Sequence, residues 1–416
     1  MTQTLRFLLP VAGRARRDRR RRSVVRIVSL VATLCAARAG YAADGWTVKT
    51  SDFREKNVAL LSSIKDGKVR GTHQDSQFTD FPLSDVVEVT RDASVGAVSG
   101  FVLWTIDGGR FVGRQSGLEG SKIRWDVDQI GPVEVPLDRV LGVLRGPLDD
   151  APLRAPVAED EILLKNGDTV RGTITAVDDK GFTITPAAGD PVVLSGDVIV
   201  RVIFAPPAQG RPARQAAGFT VRLVNGVVLP CADVQLGGAS EVSGQILRVS
   251  PAGGGGERNV SLESVVAIEH TGGRVRWLTD RTPLEAVATA FFGPAHQHRI
   301  GRNVTGGLIR AGGATYERGI GVHSHSRITY AIEPADRSFR TQYAVDNELP
   351  YADVDVRVLV DGKTVHEQKS LRSGILSPVI QADLRGAKTL TLEVDFGNNY
   401  DVQDRLNWIE PAIVRE

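Results

Sequence analysis

The sequence predicts an all-β protein in which several small β modules precede a larger β-sandwich. Asp-Gly and Asn-Gly turns recur between runs of alternating apolar and polar residues, and such turns are typical of β-hairpins. Longer alternating runs fill the last third of the chain. With 416 residues, 42% of them apolar and 24% charged, the chain is long enough for about two to four folded domains.

The first 42 residues have the pattern of an export signal. Ten arginines occur before residue 43, most of them ahead of an apolar stretch from Ile27 to Ala37. Small residues follow, and we expect cleavage after Ala42, with Ala39 as the alternative. The apolar stretch is shorter than the roughly twenty residues that a helix needs to cross a bilayer, so we expect no stable membrane span. The protein is therefore predicted to be exported, to the periplasm, the cell envelope or the medium.

The charge and the cysteine content of the remaining chain limit its partners and its possible sites. Removal of the ten arginines and Asp18 from 51 basic and 49 acidic residues leaves 41 and 48, a net negative charge that disfavours nucleic acid as a partner. Cys231 is then the only cysteine, which excludes an intramolecular disulfide and a cysteine-rich metal site.

A hairpin pattern recurs four times between residues 57 and 270. Each copy has an alternating run, a turn with Asp-Gly or Asn-Gly, a second run and a Val-rich close, and the turn glycines are Gly67, Gly108, Gly167 and Gly226. These spacings predict β units of about forty to sixty residues. The predicted boundaries are 46–148 for two modules, 157–206 for the third and 217–273 for the fourth, with proline-rich linkers at 146–156 and 205–212. The units resemble SH3-like or Sm-like barrels, which implies a scaffold role, with envelope proteins as possible partners.

The region from residue 276 onward predicts a β-sandwich. Alternating runs lie at 327–332, 354–360 and 390–395, and Asp361-Gly362 supplies a hairpin turn. The region also carries spaced motifs, of which the first runs from Tyr316 to Ser326. Gly319 and Gly321 within it are expected to leave a strand-edge backbone that a ligand or another chain can approach closely.

The further motifs are Trp277 to Asp280, Val345-Asp346, Val360 to Lys363, Gly386 to Leu392 and Asp404 to Trp408. Together they resemble the NPCBM family of carbohydrate-binding modules, which is associated with glycosyl hydrolase family 98. The resemblance covers residues 276–416 and implies a galactose-binding-like jelly-roll sandwich that binds a glycan or polysaccharide. Asn347-Glu348 replaces a usually acidic pair and Phe396 to Tyr400 replaces an acidic glycine-rich turn, so the resemblance transfers the fold but not the sugar preference.

Sugar binding needs an apolar face against the ring and planar polar groups that hydrogen-bond the hydroxyls. The candidate ligand-binding residues are His323, Asp346, Asn347, Asn398, Asn399, Tyr400, Asp401, Arg405 and Trp408, with Tyr351 near them. Two alternatives stay open. Trp408 either stacks on sugar or packs in the core, and His323 either contacts ligand or ties two strands together. Ser324 and Ser326 are expected to be structural.

The sequence suggests two metal hypotheses. Asp395, Asn398, Asp401 and Asp404 recur at intervals of three and offer oxygen ligands for a structural calcium, with a solvated acidic turn as the alternative. His296 and His298 form a His-x-His pair, but the sequence offers no third ligand nearby. No other cofactor is expected.

Enzymatic activity is not predicted. Residues 46–276 lack the alternation of strands and helices that a barrel-type glycosidase requires, and the chain contains no Gly-x-Ser-x-Gly nucleophile motif. The leading hypothesis is an exported, non-catalytic carbohydrate-binding protein whose repeats act as a scaffold. The alternative is a structural or protein-interaction protein of the envelope that carries a vestigial sugar module.

Overall fold

The computed structural model describes residues 45–416, apart from 94, 97, 99, 147–152, 154–156, 213–217, 238–244, 253–255 and 348. The predicted export signal and Glu348 therefore lie outside the described residues. Across the described part, strands are joined by loops and short 3-10 turns without any α-helix, which confirms the all-β fold class. None of its helical turns has the length and apolarity needed to span a bilayer.

The first half of the described chain forms four repeats, named here repeat 1 (46–91), repeat 2 (101–145), repeat 3 (160–203) and repeat 4 (219–270). The strands of repeat 1 are β1 Trp46–Thr50, β2 Glu55–Val58, β3 Leu60–Lys65, β4 Lys68–Thr72, β5 Phe78–Pro82 and β6 Val86–Arg91; those of repeat 2 are β7 Phe101–Thr105, β8 Arg110–Glu119, β9 Lys122–Val127, β10 Gly131–Pro136 and β11 Val140–Arg145. The strands of repeat 3 are β12 Asp160–Leu164, β13 Thr169–Val177, β14 Gly181–Thr185, β15 Val192–Ser195 and β16 Ile199–Ile203; those of repeat 4 are β17 Phe219–Leu223, β18 Val228–Leu236, β19 Ile246–Pro251, β20 Arg258–Ser261 and β21 Val265–His270.

Each repeat is a small barrel whose last strand pairs antiparallel with its first. The close that recurs in the sequence forms a 3-10 turn just before that last strand, at Leu83–Asp85, Leu137–Arg139, Gly196–Val198 and Leu262–Ser264. Side-chain alternation decides which face is inside: in β9, Ile123, Trp125 and Val127 are buried whereas Lys122 and Arg124 are exposed. The strand order and the 3-10 turn are those of an SH3-like barrel.

The glycine turn of repeat 1 is not equivalent to the other three. In repeats 2 to 4 the turn joins the first two strands, but in repeat 1 Asp66-Gly67 joins β3 to β4. The reason is that β2 and β3 together form one long second strand, interrupted at Ala59. The first turn of repeat 1 lies earlier, near Phe53, which explains why the first spacing between turn glycines is the shortest.

The repeats are joined by strand pairing as well as by linkers. The last strands of repeats 1 and 4 pair with each other, as do those of repeats 2 and 3. The apolar side chains of all four repeats form one buried cluster that extends from Trp46 to Ile268. The described residues from 45 onward belong to a single compact unit.

The C-terminal region is a sandwich of two antiparallel sheets, as the sequence predicts. The first sheet has the order β24 Arg299–Ile300, β27 Gly319–His323, β34 Arg405–Arg415, β29 Asp336–Val345 and β32 Ile380–Asp383, with β22 Val275–Trp277 also paired to β34. The second has the order β23 Glu285–Ala288, β28 Ser326–Ala331, β33 Thr389–Phe396, β30 Val354–Val360 and β31 Lys363–Leu371, and a separate hairpin consists of β25 Ile309–Ala311 and β26 Ala314–Tyr316. Tyr330, Phe339, Tyr343 and Trp408 fill the space between the two main sheets.

A network of charged side chains connects the repeats to the sandwich. Glu269 of repeat 4 accepts hydrogen bonds from Arg222 at 2.9 Å and from Arg318 of the sandwich at 2.6 Å. Although burial opposes ionisation, the two guanidinium groups lower the pKa of Glu269 to about 2. The neighbouring residue across the sheet is Glu88, which lines a cavity of about 180 Å³ at this junction. Burial, reinforced by the charge of Glu269, raises the pKa of Glu88 to about 7.

Candidate functional site

The glycine pair of the first motif accommodates a segment of the protein's own chain. Strand β27 lies inside its sheet, between β24 and β34, and not at an open edge. A Cβ atom on Gly321 would lie 2.5 Å from Cα of Asn303, and one on Gly319 would lie 2.6 Å from Cδ1 of Ile309. The expectation of a strand edge open to a ligand is therefore wrong, because residues 302–309 cover the outer face of this strand.

The covering segment brings Asn303 to Asp346, which follows β29. The Nδ2 group of Asn303 donates to Oδ2 of Asp346 at 3.1 Å, and that of Asn407 donates to Oδ1 at 2.6 Å. Asp346 is 8% exposed and Asn407 is fully buried. Burial raises the pKa of Asp346, whereas the two amide groups oppose that rise by stabilising the carboxylate. The carboxyl group is thus fixed in position and faces a cavity.

The cavity beside Asp346 has a volume of about 450 Å³. Its lining residues are Asn303, Gly307, Leu308, Arg310, Asp346, Asn347, Leu349 and Arg405. They combine amide, carboxylate and guanidinium groups with two leucine side chains, a mixture that suits a small polar ligand with one apolar face. The structure therefore brings three of the predicted residues together here: Asp346, Asn347 and Arg405.

His323 lies between this cavity and a neighbouring loop. It pairs with Arg405 across β27 and β34, and its ring centre is 5.0 Å from that of His296. Burial lowers the pKa of His323, and the positive charge of Arg405 acts in the same direction while Asp401 opposes it. The Nδ1 atom of His323 lies 2.9 Å from the carbonyl oxygen of Ser324, so the side chain contacts its own strand end as well as the loop of His296.

The loop after β33 holds the other predicted residues, most of which make internal hydrogen bonds. Asp401 accepts from the backbone N–H groups of Phe291 and Phe292 at 2.8 and 2.9 Å. Asn398 donates to Oδ2 of Asp353 at 3.1 Å and to Ser370 at 3.2 Å, and Asn399 donates to the carbonyl of Tyr351 at 2.9 Å. These three side chains therefore fix the loop and the segment opposite it.

Three aromatic side chains that this loop positions are exposed: Phe291 by 50%, Phe292 by 61% and Tyr400 by 56%. We call these three residues the aromatic platform. The ring centres of Phe291 and Tyr400 are 4.6 Å apart, and those of Phe292 and Tyr400 are 5.8 Å apart. The sequence analysis singled out Tyr400 but not the two phenylalanines. The sequence signal that indicates them is a Phe-Phe pair followed by Gly-Pro. A turn has no strand face that packs against a core, so large apolar side chains placed there stay exposed.

Trp408 requires a correction as a ligand-binding candidate. Its side chain is fully buried and its ring meets that of Tyr343 edge to face, with centres 5.7 Å apart. Position 408 falls on the inner face of β34, so no ring face is available to a sugar. Ser324 and Asp404 are also buried, and the Ser324 hydroxyl donates to Oδ2 of Asp404 at 2.6 Å.

Neither metal hypothesis gains support from the geometry. Within the described part of the chain, no group of three or more His, Cys, Asp or Glu side chains lies close enough to hold a metal ion. Asp395 pairs with Arg357 at 3.0 Å, Asp401 binds backbone N–H groups, and Asp404 binds Ser324 and the N–H of Asp353. The carboxylate oxygens of these three residues thus already have partners within the protein.

Comparison with known families identifies the sandwich. Residues 274–414 match the model of the NPCBM/NEW2 domain family, which confirms the predicted resemblance. This match covers the sandwich and not the four repeats. No curated protein matches the chain.

Similar solved structures include carbohydrate-binding modules. CBM51 from Clostridium perfringens GH95, in complex with methyl-galactose, is 21% identical with a TM-score of 0.30; the alignment covers 34% of this chain and 99% of that one. CBM51-2 in complex with GlcNAc, with INT domains, from another Clostridium perfringens protein is 18% identical with a TM-score of 0.32, over 57% of this chain and 44% of that one. The tandem CBM51 modules of a family 98 glycoside hydrolase from Streptococcus pneumoniae are 12% identical with a TM-score of 0.31, over 89% and 88%.

Proposed function

We propose that this protein is an exported, non-catalytic carbohydrate-binding protein in which the cavity beside Asp346 holds a glycan and the four repeats serve as a scaffold. The observation that carries the proposal is that this polar cavity lies within the residues that match the NPCBM/NEW2 family. Export rests on the pattern of the first 42 residues.

The chemistry of the cavity suits sugar hydroxyls. Carboxylate, amide and guanidinium groups can accept and donate paired hydrogen bonds, and Asp346 is held rigidly by two amides so that little ordering is needed on binding. Leu308 and Leu349 offer apolar contact to the ring. Beyond His323, the aromatic platform offers further faces on which a longer glycan can stack.

The same geometry favours binding over hydrolysis. Glycoside hydrolysis uses two carboxyl groups on either side of the scissile bond, one of them protonated. Among the described residues that line the cavity, Asp346 is the one carboxylate, and both its oxygens already accept hydrogen bonds. The site therefore has groups for recognition without the pair that hydrolysis requires.

A glycan array probed with the full chain tests the proposal. We expect binding to a defined set of glycans, lost in Asn347→Ala, whose exposed side chain lines the cavity, and retained in Asn57→Ala, an exposed asparagine of repeat 1. Absence of binding across galactose, glucose, amino-sugar and acidic glycans contradicts the proposal. Stable complexes with envelope proteins that persist in excess free sugar support the alternative of a protein-interaction role.

A further inference from the structure

The cavity beside Asp346 contains two arginines that form no ion pair with a described residue. Arg405 begins β34 and is half-buried, and Arg310 lies in β25 and is exposed. Neither guanidinium group forms a hydrogen bond or an ion pair with a described residue, although Arg405 lies near enough to Asp346 to feel its charge. A half-buried guanidinium has five N–H donors that need acceptors, so an unpaired one is costly unless water or a ligand supplies them.

Other arginines of the sandwich behave differently. Arg357 forms ion pairs with four carboxylates, and Arg281, Arg318 and Arg415 each pair with two. Arg340 stacks on the ring of Phe53, with its guanidinium carbon 3.7 Å from the ring centre. Unpaired arginines are therefore not the rule on this sandwich, and Arg310 and Arg405 line the same cavity.

The carboxylate of Asp346 does not neutralise this pair. Its two oxygens accept from Asn407 and Asn303, and neither oxygen is bonded to a guanidinium group. Among the described lining residues, two guanidinium groups thus face one carboxylate, an excess of positive charge within this set of groups. A cavity of this sign and about 450 Å³ attracts a small anion and disfavours a cation.

We propose that the ligand of this cavity is an acidic saccharide, with Arg405 and Arg310 contacting its carboxylate or sulfate group. The planar fork of arginine matches such groups with two parallel hydrogen bonds, while Asn303 and Asn347 remain for hydroxyls. The inference rests on the proposed function and adds the chemical class of the ligand. It depends on the two arginines having no ion pair with a described residue, and not on any property of the aromatic platform.

Matched pairs of saccharides test the charge requirement. The full chain is titrated with 3′-sialyllactose and lactose, with trigalacturonate and its carboxyl-reduced form, and with a sulfated carrageenan tetrasaccharide and its desulfated form. We expect the acidic member of at least one pair to bind about tenfold more tightly or better than its neutral counterpart, as charge-assisted hydrogen bonds typically allow. Carboxylated and sulfated pairs distinguish the two sources of the anion.

Arginine variants locate the contact. Arg405→Gln and Arg310→Gln keep much of the side-chain length but remove the charge, and each is expected to weaken binding of the acidic saccharide about tenfold while affecting the neutral one less than about twofold. The control is Arg385→Gln, an exposed arginine of the same domain that pairs with Asp383 at 2.6 Å. Thermal unfolding of each variant confirms that it is folded.

The outcomes separate this inference from the proposed function. Equal or tighter binding of the neutral members overturns the acidic ligand and leaves carbohydrate binding intact. Failure of every saccharide to bind overturns both. Acidic binding that is unaffected by Arg405→Gln and Arg310→Gln, or equally reduced by Arg385→Gln, overturns the assignment to this cavity.

Discussion

Asn407 donates a hydrogen bond of 2.6 Å from Nδ2 to Oδ1 of Asp346, across 61 residues of sequence. The donor is fully buried on β34, and the acceptor follows β29, which pairs with β34. A hydrogen bond from a buried amide to a carboxylate restrains that carboxylate strongly, because either group loses its partner if it moves. The carboxylate of Asp346 in the candidate site is thus held by a side chain of β34, the central strand of the sheet.

Replacing this amide by a second carboxyl tests that restraint. In Asn407→Asp, two carboxyl groups at hydrogen-bonding distance cannot both ionise, so one takes up a proton in the folded state and its pKa rises. A raised pKa in the folded state contributes stability at low pH that is lost as pH rises, so we expect a loss of about 3 kcal/mol at pH 7, largely recovered near pH 4. Urea unfolding at both pH values measures this. Asn57→Asp is the control. A loss of unfolding free energy in Asn407→Asp that is the same at both pH values contradicts the restraint.

The aromatic platform is predicted to contribute to glycan affinity and not to folding. Phe292→Ala and Tyr400→Ala remove rings that are more than half exposed, so we expect the unfolding free energy to change by less than about 0.5 kcal/mol. Stacking is worth about 0.5–1.5 kcal/mol, which corresponds to a loss of affinity of about two- to tenfold for a glycan of several units. Isothermal titration provides the measurement. Phe78→Ala is the matched control, because Phe78 is 65% exposed on repeat 1. An unchanged affinity in both platform variants shows that the glycan does not reach these rings.

Gly321 is predicted to be required for the segment that covers β27. In Gly321→Ala the new methyl group would lie 2.5 Å from Cα of Asn303, so the segment must shift and the hydrogen bond from Asn303 to Asp346 is strained or lost. We expect destabilisation of about 1–3 kcal/mol together with weaker glycan binding. Gly237→Ala is the control, since a Cβ there meets nothing within 4 Å. Equal unfolding midpoints for the two variants would contradict the close approach.

Glu88 is predicted to make the stability of the whole chain depend on pH. Its pKa rises from 4.5 to about 7 because it is largely but not fully buried and lies beside Glu269, and Lys49, Arg222 and Glu410 are the other charged groups around it. Between these values the folded state binds a proton that the unfolded state releases, so stability falls as pH rises from about 4.5 to 7.

Glu88→Gln removes that dependence. We expect the variant to match the wild type below pH 4.5 and to exceed it by about 2 kcal/mol at pH 8, a value reduced from the full shift because the group is only partly shielded from water. Thermal unfolding across this pH range compares the two proteins, with Glu55→Gln, an exposed residue of repeat 1, as control. A difference that stays constant with pH means that Glu88 does not change its protonation on unfolding.

Much of the fold follows from short-range patterns. The alternation in β9 and the Asp-Gly and Asn-Gly turns of the repeats place strands and hairpins correctly, because a side-chain period of two and a positive φ are properties of neighbouring residues. The sequence analysis treated the turn at Gly67 as equivalent to the other three, which is wrong because this turn joins β3 to β4. The pairing of β2 with β1 and of β3 with β4 shows that the second strand of repeat 1 is long and interrupted.

The sequence predicted several residues of the candidate site correctly but not which residues lie next to one another there. Asp346, Asn347 and Arg405 do share a cavity, but Asn303 and Arg310 were not among the predicted residues, because the segment that contains them has no distinctive pattern. Trp408 shows the opposite error, since its chemistry suits a sugar but its position on β34 turns it into the core.

The sequence by itself determined that the chain is all-β, that barrels precede a sandwich, and that the sandwich resembles NPCBM, since these depend on periodicity, turn residues and motif spacing. Tertiary structure alone decided which groups meet: that Asp401 holds the backbone of Phe291 across 110 residues, and that Asn303 and Asn407 converge on one carboxylate. The physical reason is that contacts between distant residues are set by how whole sheets pair and pack, and no local pattern of residues records that choice.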